Sequence, residues 1–255
     1  TKAWSVTMIS AAVLMIVLTI SNFFTAPKFE ETTTEPTEKP AGFFEVFATF
    51  FKKHQIGVAL LFVLTYRLGE SQLVKMASPF LLDDLGVGGL AYSTEAVGTI
   101  YGTVGVIMLS LGGILGGILI SRDGLKKWML PMLLSLNLPN ALYAILAITQ
   151  TTSLYAVVGT VVIEQFGYGF GFAAFMMYLI YVAEGASKTS HYAIATGFMA
   201  LGMMLPGMLS GYIQEWLGYD GFFIWVVIAA LPAFFVLRYL KYPEDYGKKT
   251  AETND

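Results

Sequence analysis

Residues 56–82 read IGVALLFVLTYRLGESQLVKMASPFLL. The run has spanning length, yet Arg67, Glu70 and Lys75 stand inside it. At a rise of ~1.5 Å per residue, Arg67 lies roughly 18 Å deep from the Lys53 end, near the centre of a ~30 Å hydrocarbon core. Each charge at such depth costs ~3 kcal/mol even on lenient insertion scales. Arg67 and Glu70 are three residues apart, and positions 67, 71 and 75 continue the same helical face. One reading is an intrahelical pair that blunts the cost of both charges. The other is that all three line a water-filled cavity. Arg67 then clamps a substrate carboxylate, Lys75 adds a second positive point, and Glu70 is a protonatable partner whose charge depends on whether Arg67 is occupied. Lys75, which a simple pair leaves unexplained, favours the second reading.

The whole chain is 56% hydrophobic and 13% charged, with mean hydropathy +0.65. Soluble domains carry about 25% charged residues, so this is an integral membrane protein. There is no cysteine, which excludes thiolate metal sites, disulfides and thiol catalysis. His54 and His191 do not make a metal site by themselves, and no metal or other cofactor is expected. No Walker motif, H-E-x-x-H or Ser/His/Asp set stands at plausible depth, so neither an ATP-driven pump nor an enzyme is expected. Nothing points to nucleic acid. The chain begins at Thr1, with no cleavage pattern after its first apolar run, and is expected to be a piece of something longer.

Seven apolar segments reach spanning length: 4–24, 55–82, 95–120, 128–148, 154–183, 192–215 and 221–240. Residues 25–41, TAPKFEETTTEPTEKPA, cannot bury apolar area and read as a mobile linker. In 42–53, Phe43, Phe44, Phe47, Phe50 and Phe51 fall on one face of an amphipathic interfacial helix. The expected layout is a transmembrane helix at 1–24, a cytoplasmic linker with its amphipathic helix at 25–54, a six-helix bundle at 55–240 and a cytoplasmic tail at 241–255. Lys28, Lys39, Lys52, Lys53, Arg122, Lys126, Lys127, Lys188, Lys241, Lys248 and Lys249 share one set of loops. The loops at 83–94, 149–153 and 216–220 hold no Lys or Arg. The positive-inside rule then sets the linker, the 121–127 and 184–191 loops and the C-terminus in the cytoplasm.

Residues 117–127, GILISRDGLKK, lie between the third and fourth segments. They resemble the G-x-x-x-D-R-x-G-R-K loop of the major facilitator superfamily, with Ser121 for the usual Asp and Leu125 for an Arg. Gly117, Arg122, Gly124, Lys126 and Lys127 carry the match. Gly124 permits the tight turn, and the basic residues suit helix carbonyl ends and the anionic leaflet. Several stretches resemble the muropeptide permease and acetyl-coenzyme A transporter branch, the AmpG type. They include Tyr66-Arg67-Leu68-Gly69-Glu70, Pro79 to Leu82, Asn137 to Ala144, Glu164 with Gly167, Gly169 and Gly171, His191 to Tyr212, and Gly218 to Phe223.

The resemblance implies an all-α polytopic membrane bundle, the C-terminal half of a major facilitator fold. Its partners would be the lipid bilayer and the remaining five N-terminal spans of a twelve-span chain cut before its sixth. It implies a multi-pass transporter of the inner membrane, driven by a proton gradient, that imports anhydro-muropeptides or related anionic sugar-peptides by alternating access. Alternatives are another small anionic solute (a sugar acid, a peptide or an acyl-coenzyme A) and a half-transporter scaffold without flux.

Other polar residues stand deep in the spans. Glu164, mid-span in 154–183 with Gln165 beside it, suits a proton carrier, or bonds as a neutral acid to another helix. Pro139 kinks 128–148. Asn137 and Asn140 either bind substrate hydroxyls or satisfy freed carbonyls. The expected substrate-binding set is therefore Arg67, Lys75, Asn137, Asn140 and Gln165, with Glu70 and Glu164 for proton coupling. Tyr178 and Tyr181 read as aromatic belt. Gly112/Gly116, Gly113/Gly117 and Gly207/Gly211 are small-x-x-x-small pairs for close helix approach.

Overall fold

The computed structural model describes residues 2–25 and 42–249. Apart from Thr25, the expected linker lies outside the described residues, as do positions 250–255 of the tail. All regular structure among the described residues is helical. Helix α1 (Lys2–Thr25) carries no charge beyond Lys2, is long and apolar enough to cross a membrane, and belongs to a unit of its own.

The second unit begins at Gly42. Helix α2 (Phe43–Phe51) starts with the Gly42 N–H bonded to the Glu45 carboxylate at 3.3 Å. It lies at 90° to the helical run that follows. Phe50 is fully buried against the His191 ring, whereas Phe43, Phe44, Phe47 and Phe51 are exposed. Only the C-terminal turn of α2 reaches the bundle, where Thr49 Oγ1 bonds His191 Nε2 at 3.2 Å. Just beyond it, Lys53 Nζ donates to the carbonyls of Val182 and Glu184 at 2.6 Å each. A cation there suits the carbonyl end of a helix. Burial lowers the Lys53 ammonium from its ordinary pKa, and Glu184 opposes that shift.

The 56–82 run is two helices, α3 (Ile56–Thr65) and α4 (Leu68–Leu82). The break falls on Tyr66 and Arg67, with Arg67 at φ −111°, ψ 18°. Helix α5 (Thr94–Thr99) passes through a wide turn at Ile100–Gly105 into α6 (Val106–Asp123). The expected kink at Pro139 separates α7 (Leu125–Asn137) from α8 (Asn140–Thr149). Helix α9 (Leu154–Ala183) is uninterrupted for 30 residues. Helix α10 (Lys188–Ala229) and α11 (Leu231–Leu237) complete the chain of helices. A straight run from 188 to 237 would be roughly 75 Å long, far more than a bilayer needs. Gly218, at φ 71° and ψ 174°, divides it into two segments, a conformation that glycine alone reaches without strain.

Helix α9 is gripped on two sides through its glycines. A Cβ added at Gly169 would stand 2.0 Å from the Leu109 carbonyl oxygen of α6, and one at Gly167 would stand 2.0 Å from that of Ser135 on α7. Gly112 and Gly116 meet α9 from the other side, whereas Gly117 and Gly211 face open space. Two apolar cores result. One gathers Phe62, Tyr66, Met129, Phe175 and Tyr178, the other Leu73, Phe80, Tyr143, Tyr219 and Phe223. Tyr178 is therefore not a belt residue: it is buried, edge-on to Phe62 and Tyr242.

Among the described residues of the second unit, the Lys-free loops gather at one end of the bundle and the 121–127 loop and tail at another. At the Lys-free end, Tyr92 bonds the Thr152 carbonyl at 2.8 Å, Gln150 the Gly88 carbonyl at 3.1 Å, and Tyr219 the Asp83 carboxylate at 2.6 Å. At the basic end the tail lies against the 121–127 loop. Leu125 N–H donates to the Tyr246 carbonyl and Lys249 N–H to that of Ser121, both at 2.8 Å. Lys126 pairs with Glu244 at 2.6 Å and holds that carboxyl below its usual pKa. Arg122 and Lys127 both pair with Asp123, at 2.9 and 3.2 Å. The described bonds of these basic residues thus run to carboxylates rather than to helix carbonyls.

Gly124 sits at φ 91°, ψ 156°, and a Cβ there would meet the Glu244 carbonyl oxygen at 2.7 Å. Gly124→Ala is expected to release the tail at a cost of about 1–3 kcal/mol for the backbone conformation. Limited proteolysis should then cut near residues 243–249 faster than in the parent protein. An unchanged rate would refute the tail contact.

Candidate functional site

The helix break puts Arg67 at the mouth of α4 and turns its side chain toward α9. Arg67 Nε donates to Glu70 Oε2 at 2.9 Å, and Nη2 donates to the Tyr168 hydroxyl at 2.7 Å. Its guanidinium carbon lies 5.0 Å from the Tyr168 ring centroid and 5.1 Å from that of Phe172. Arg67 is 4% exposed and Glu70 1%. The guanidinium is planar, weakly hydrated and stacks on aromatic faces, which suits it to burial better than an ammonium. Glu70 Oε1 has no hydrogen-bond partner.

Glu164 lies on α9 one turn before Tyr168 and is 2% exposed. Gln165 Nε2 donates to both its carboxylate oxygens, at 3.1 and 2.9 Å, and the Tyr143 hydroxyl donates to Oε2 at 3.4 Å. Tyr143 is hydrogen-bonded in turn to Tyr101. Glu164 and Glu70 are close enough to interact electrostatically, with Tyr168 in reach of both. The two acids foreseen on separate spans thus interact with each other, and Tyr168, bonded to Arg67, stands within reach of both.

Lys75 does not join it. Two helical turns beyond Arg67 it faces α10, its stem 3.4 Å from where a Gly207 Cβ would stand. Lys75 lines a groove of about 440 Å³ with Ser71, Val74, Met203, Met204 and Met208. A shared face on a continuous helix was the basis for grouping it with Arg67. The backbone from Arg67 to Lys75 is helical, with the Ser71 N–H bonding the Arg67 carbonyl at 2.8 Å, but the Arg67 side chain turns toward α9 while Lys75 faces α10.

Asn137 and Asn140 flank the Pro139 break. Asn137 Nδ2 returns to the Leu133 carbonyl at 2.9 Å, while its Oδ1 has no partner. Asn140 is fully buried with neither Oδ1 nor Nδ2 bonded. Buried polar atoms without partners cost about 1–3 kcal/mol each, so these amides are spare capacity for water or a ligand.

Tyr168 and Phe172 around Arg67, and Tyr143 and Tyr101 behind Glu164, outside the substrate-binding set, were not singled out by sequence reading. Tyr168 is four residues after Glu164, and Tyr143 three after Asn140, spacings that share a helical face. Their partners on other helices were not readable from that spacing.

The model of the major facilitator superfamily matches residues 70–255. AmpG 4 of Rickettsia conorii is 29% identical over 194 residues, covering 76% of this chain and 45% of that protein. The anhydromuropeptide permease of Escherichia coli K12 is 26% identical over 199 residues, covering 78% of this chain and 39% of that protein. AmpG 2 of Rickettsia prowazekii is 27% identical over 200 residues, covering 78% and 47%. The chain spans less than half the length of these relatives.

Proposed function

The chain belongs to the major facilitator superfamily, and from that premise we propose that it supplies the C-terminal bundle of a proton-driven importer of anhydro-muropeptides or related anionic sugar-peptides. The permease name of the Escherichia coli relative supports the substrate class. The observation that carries the mechanism is the buried Arg67–Glu70 pair within electrostatic reach of Glu164. Arg67 is held by one carboxylate, and the N–H groups outside that bond and the Tyr168 bond can take a second. A substrate carboxylate arriving at Arg67 competes with Glu70, and Glu70 released from Arg67 favours a proton. Binding and protonation are thereby linked. Asn137, Asn140 and Gln165 would serve sugar hydroxyls and amides, and Lys75 in its own groove would meet a distant part of an extended substrate.

The basic end of the bundle would face the cytoplasm, with the C-terminus, and the Lys-free end the outside. The membrane would be the inner membrane. Alternating access would bring Arg67 to each side in turn, the proton gradient supplying the direction.

Proton-driven uptake into vesicles containing the full-length protein tests this, comparing an anhydro-muropeptide with simple sugars. Accumulation of the muropeptide alone is expected. Glu164→Gln should remove accumulation while substrate exchange at equal pH persists. Equal uptake of simple sugars would refute the substrate class, and accumulation surviving in Glu164→Gln would move coupling elsewhere.

A further inference from the structure

Glu164 has a second set of neighbours, on the side away from Arg67. With Glu164 a carboxylate, the Tyr143 hydroxyl donates to Oε2 at 3.4 Å; in the bond between the two phenols, where either can donate, Tyr101 is then the donor. In that state the order is Tyr101 O–H to Tyr143, Tyr143 O–H to Glu164.

Tyr101 and Tyr143 stand at about the same depth, and Glu164 lies deeper. Glu164 is ten residues from the start of α9, about 15 Å deep on a helical rise. Tyr143 is six residues before the end of α8, and Tyr101 seven beyond the start of α5, each roughly 10 Å from the same Lys-free end. Tyr143 is fully buried with its ring against Phe223, whereas Tyr101 is only half-buried. Tyr101 stands in the wide turn at Ile100–Gly105, and such turns inside helices occur often at functional positions. Glycines at 98, 102 and 105 weaken the regular helix there.

We propose that Tyr101 and Tyr143 form a hydroxyl relay that carries protons between the Lys-free face and Glu164. The proposal rests on the reading of Glu164 as the coupling acid. A hydronium ion at the Lys-free side gives a proton to the Tyr101 oxygen and is left as water, as the Tyr101 proton passes to Tyr143 and the Tyr143 proton passes to the Glu164 carboxylate. Each phenol gains one proton and loses one, Glu164 becomes neutral, and no charge rests on either tyrosine. The other groups facing Glu164 are Gln165, Tyr168 and, electrostatically, Glu70. Gln165 donates without transferring a proton, and Tyr168 is bonded to Arg67, so the tyrosine pair is the path that leads away from the Arg67 side.

The test uses the full-length transporter in vesicles, with Tyr143→Phe, Tyr101→Phe and Glu164→Gln beside the parent. Phenylalanine keeps the ring and removes only the hydroxyl. Each Tyr→Phe variant is expected to slow proton-driven uptake at least about tenfold and to remove its solvent deuterium isotope effect, with exchange at equal pH unchanged. Parent-rate uptake in both, with Glu164→Gln uncoupled, overturns the relay and leaves Glu164 as the coupling acid. Accumulation surviving in Glu164→Gln overturns both. Equal losses of uptake and exchange in Tyr143→Phe and Tyr101→Phe assign the pair a packing role and also overturn the relay.

Discussion

Arg67→Ala in the full-length transporter is expected to abolish uptake. Among the described residues, the change removes the one cation bonded to Glu70, whose Oε2 accepts from Arg67 at 2.9 Å and whose Oε1 has no partner. Breaking a buried pair from one side costs about 3–5 kcal/mol, because the remaining charge stays buried. Glu70 relieves that cost by taking a proton, so the protein can still insert while the site is neutralised. A carboxylate substrate then meets no guanidinium and finds Glu70 already protonated.

Arg67→Lys separates charge from geometry. An ammonium can reach one partner but cannot bond Glu70 and Tyr168 while stacking between Tyr168 and Phe172. Partial uptake with weakened substrate affinity is expected for Arg67→Lys. Uptake is measured in vesicles after confirming equal amounts of inserted protein. Parent-level transport by Arg67→Ala would end the idea of a substrate clamp and leave the pair a structural one.

Gly169→Ala should unfold the bundle outright, and it adds only one methyl group. The new carbon would stand 2.0 Å from the Leu109 carbonyl oxygen and 3.0 Å from the Gly113 nitrogen. Both are backbone atoms of α6, so no side chain can rotate away. The helices must separate, and α7 on the far side of α9, in contact through Gly167 and Gly171, blocks the retreat. Overpacking costs ~1–3 kcal/mol where side chains can adjust, and a clash between backbones exceeds that range. Gly159→Ala is the control on the same helix, since nothing lies within 4 Å of its Cβ position. It is expected to be neutral or to stabilise by up to about 1 kcal/mol through helix propensity. Thermal unfolding in detergent compares the two. Equal stabilities would show that α6 and α9 do not pack through Gly169.

Much of the scaffold was legible because membrane helices obey local constraints. Pro139 marked a break in its span, since it lacks an N–H and clashes with the preceding turn, although Pro79, Pro131 and Pro206 stand inside helices. The boundaries of α9 were readable from an apolar run closed by Ser153 and Glu184. The last two spans were readable as two because Gly218 and Asp220 form a turn signal, although Gly218 alone leaves helical φ/ψ between them. Other features were hidden. The break at Tyr66–Arg67 has no Pro and follows no local rule. It accompanies burial of Tyr66, whose hydroxyl bonds the Gly171 carbonyl at 2.8 Å and whose ring stacks on Phe175. The split of the α2 phenylalanines came from which end of that helix docks.

By itself, the sequence determined an all-α membrane protein, the positions of its apolar segments, the separation of basic from Lys-free loops, and the likeness to major facilitator carriers. The first three follow from composition, hydropathy and spacing, which are summed along the chain; the likeness rests on motifs such as residues 117–127 and 66–70. Only the tertiary structure decided how the intramembrane charges divide. Arg67 and Glu70 pair, Glu164 joins their neighbourhood from another helix with Tyr143 and Tyr101 behind it, and Lys75 turns away to α10. The physical reason is that the low dielectric between helices makes each buried charge depend on partners from other helices, and those partners are set by glycine contacts and a helix break, not by distance along the chain.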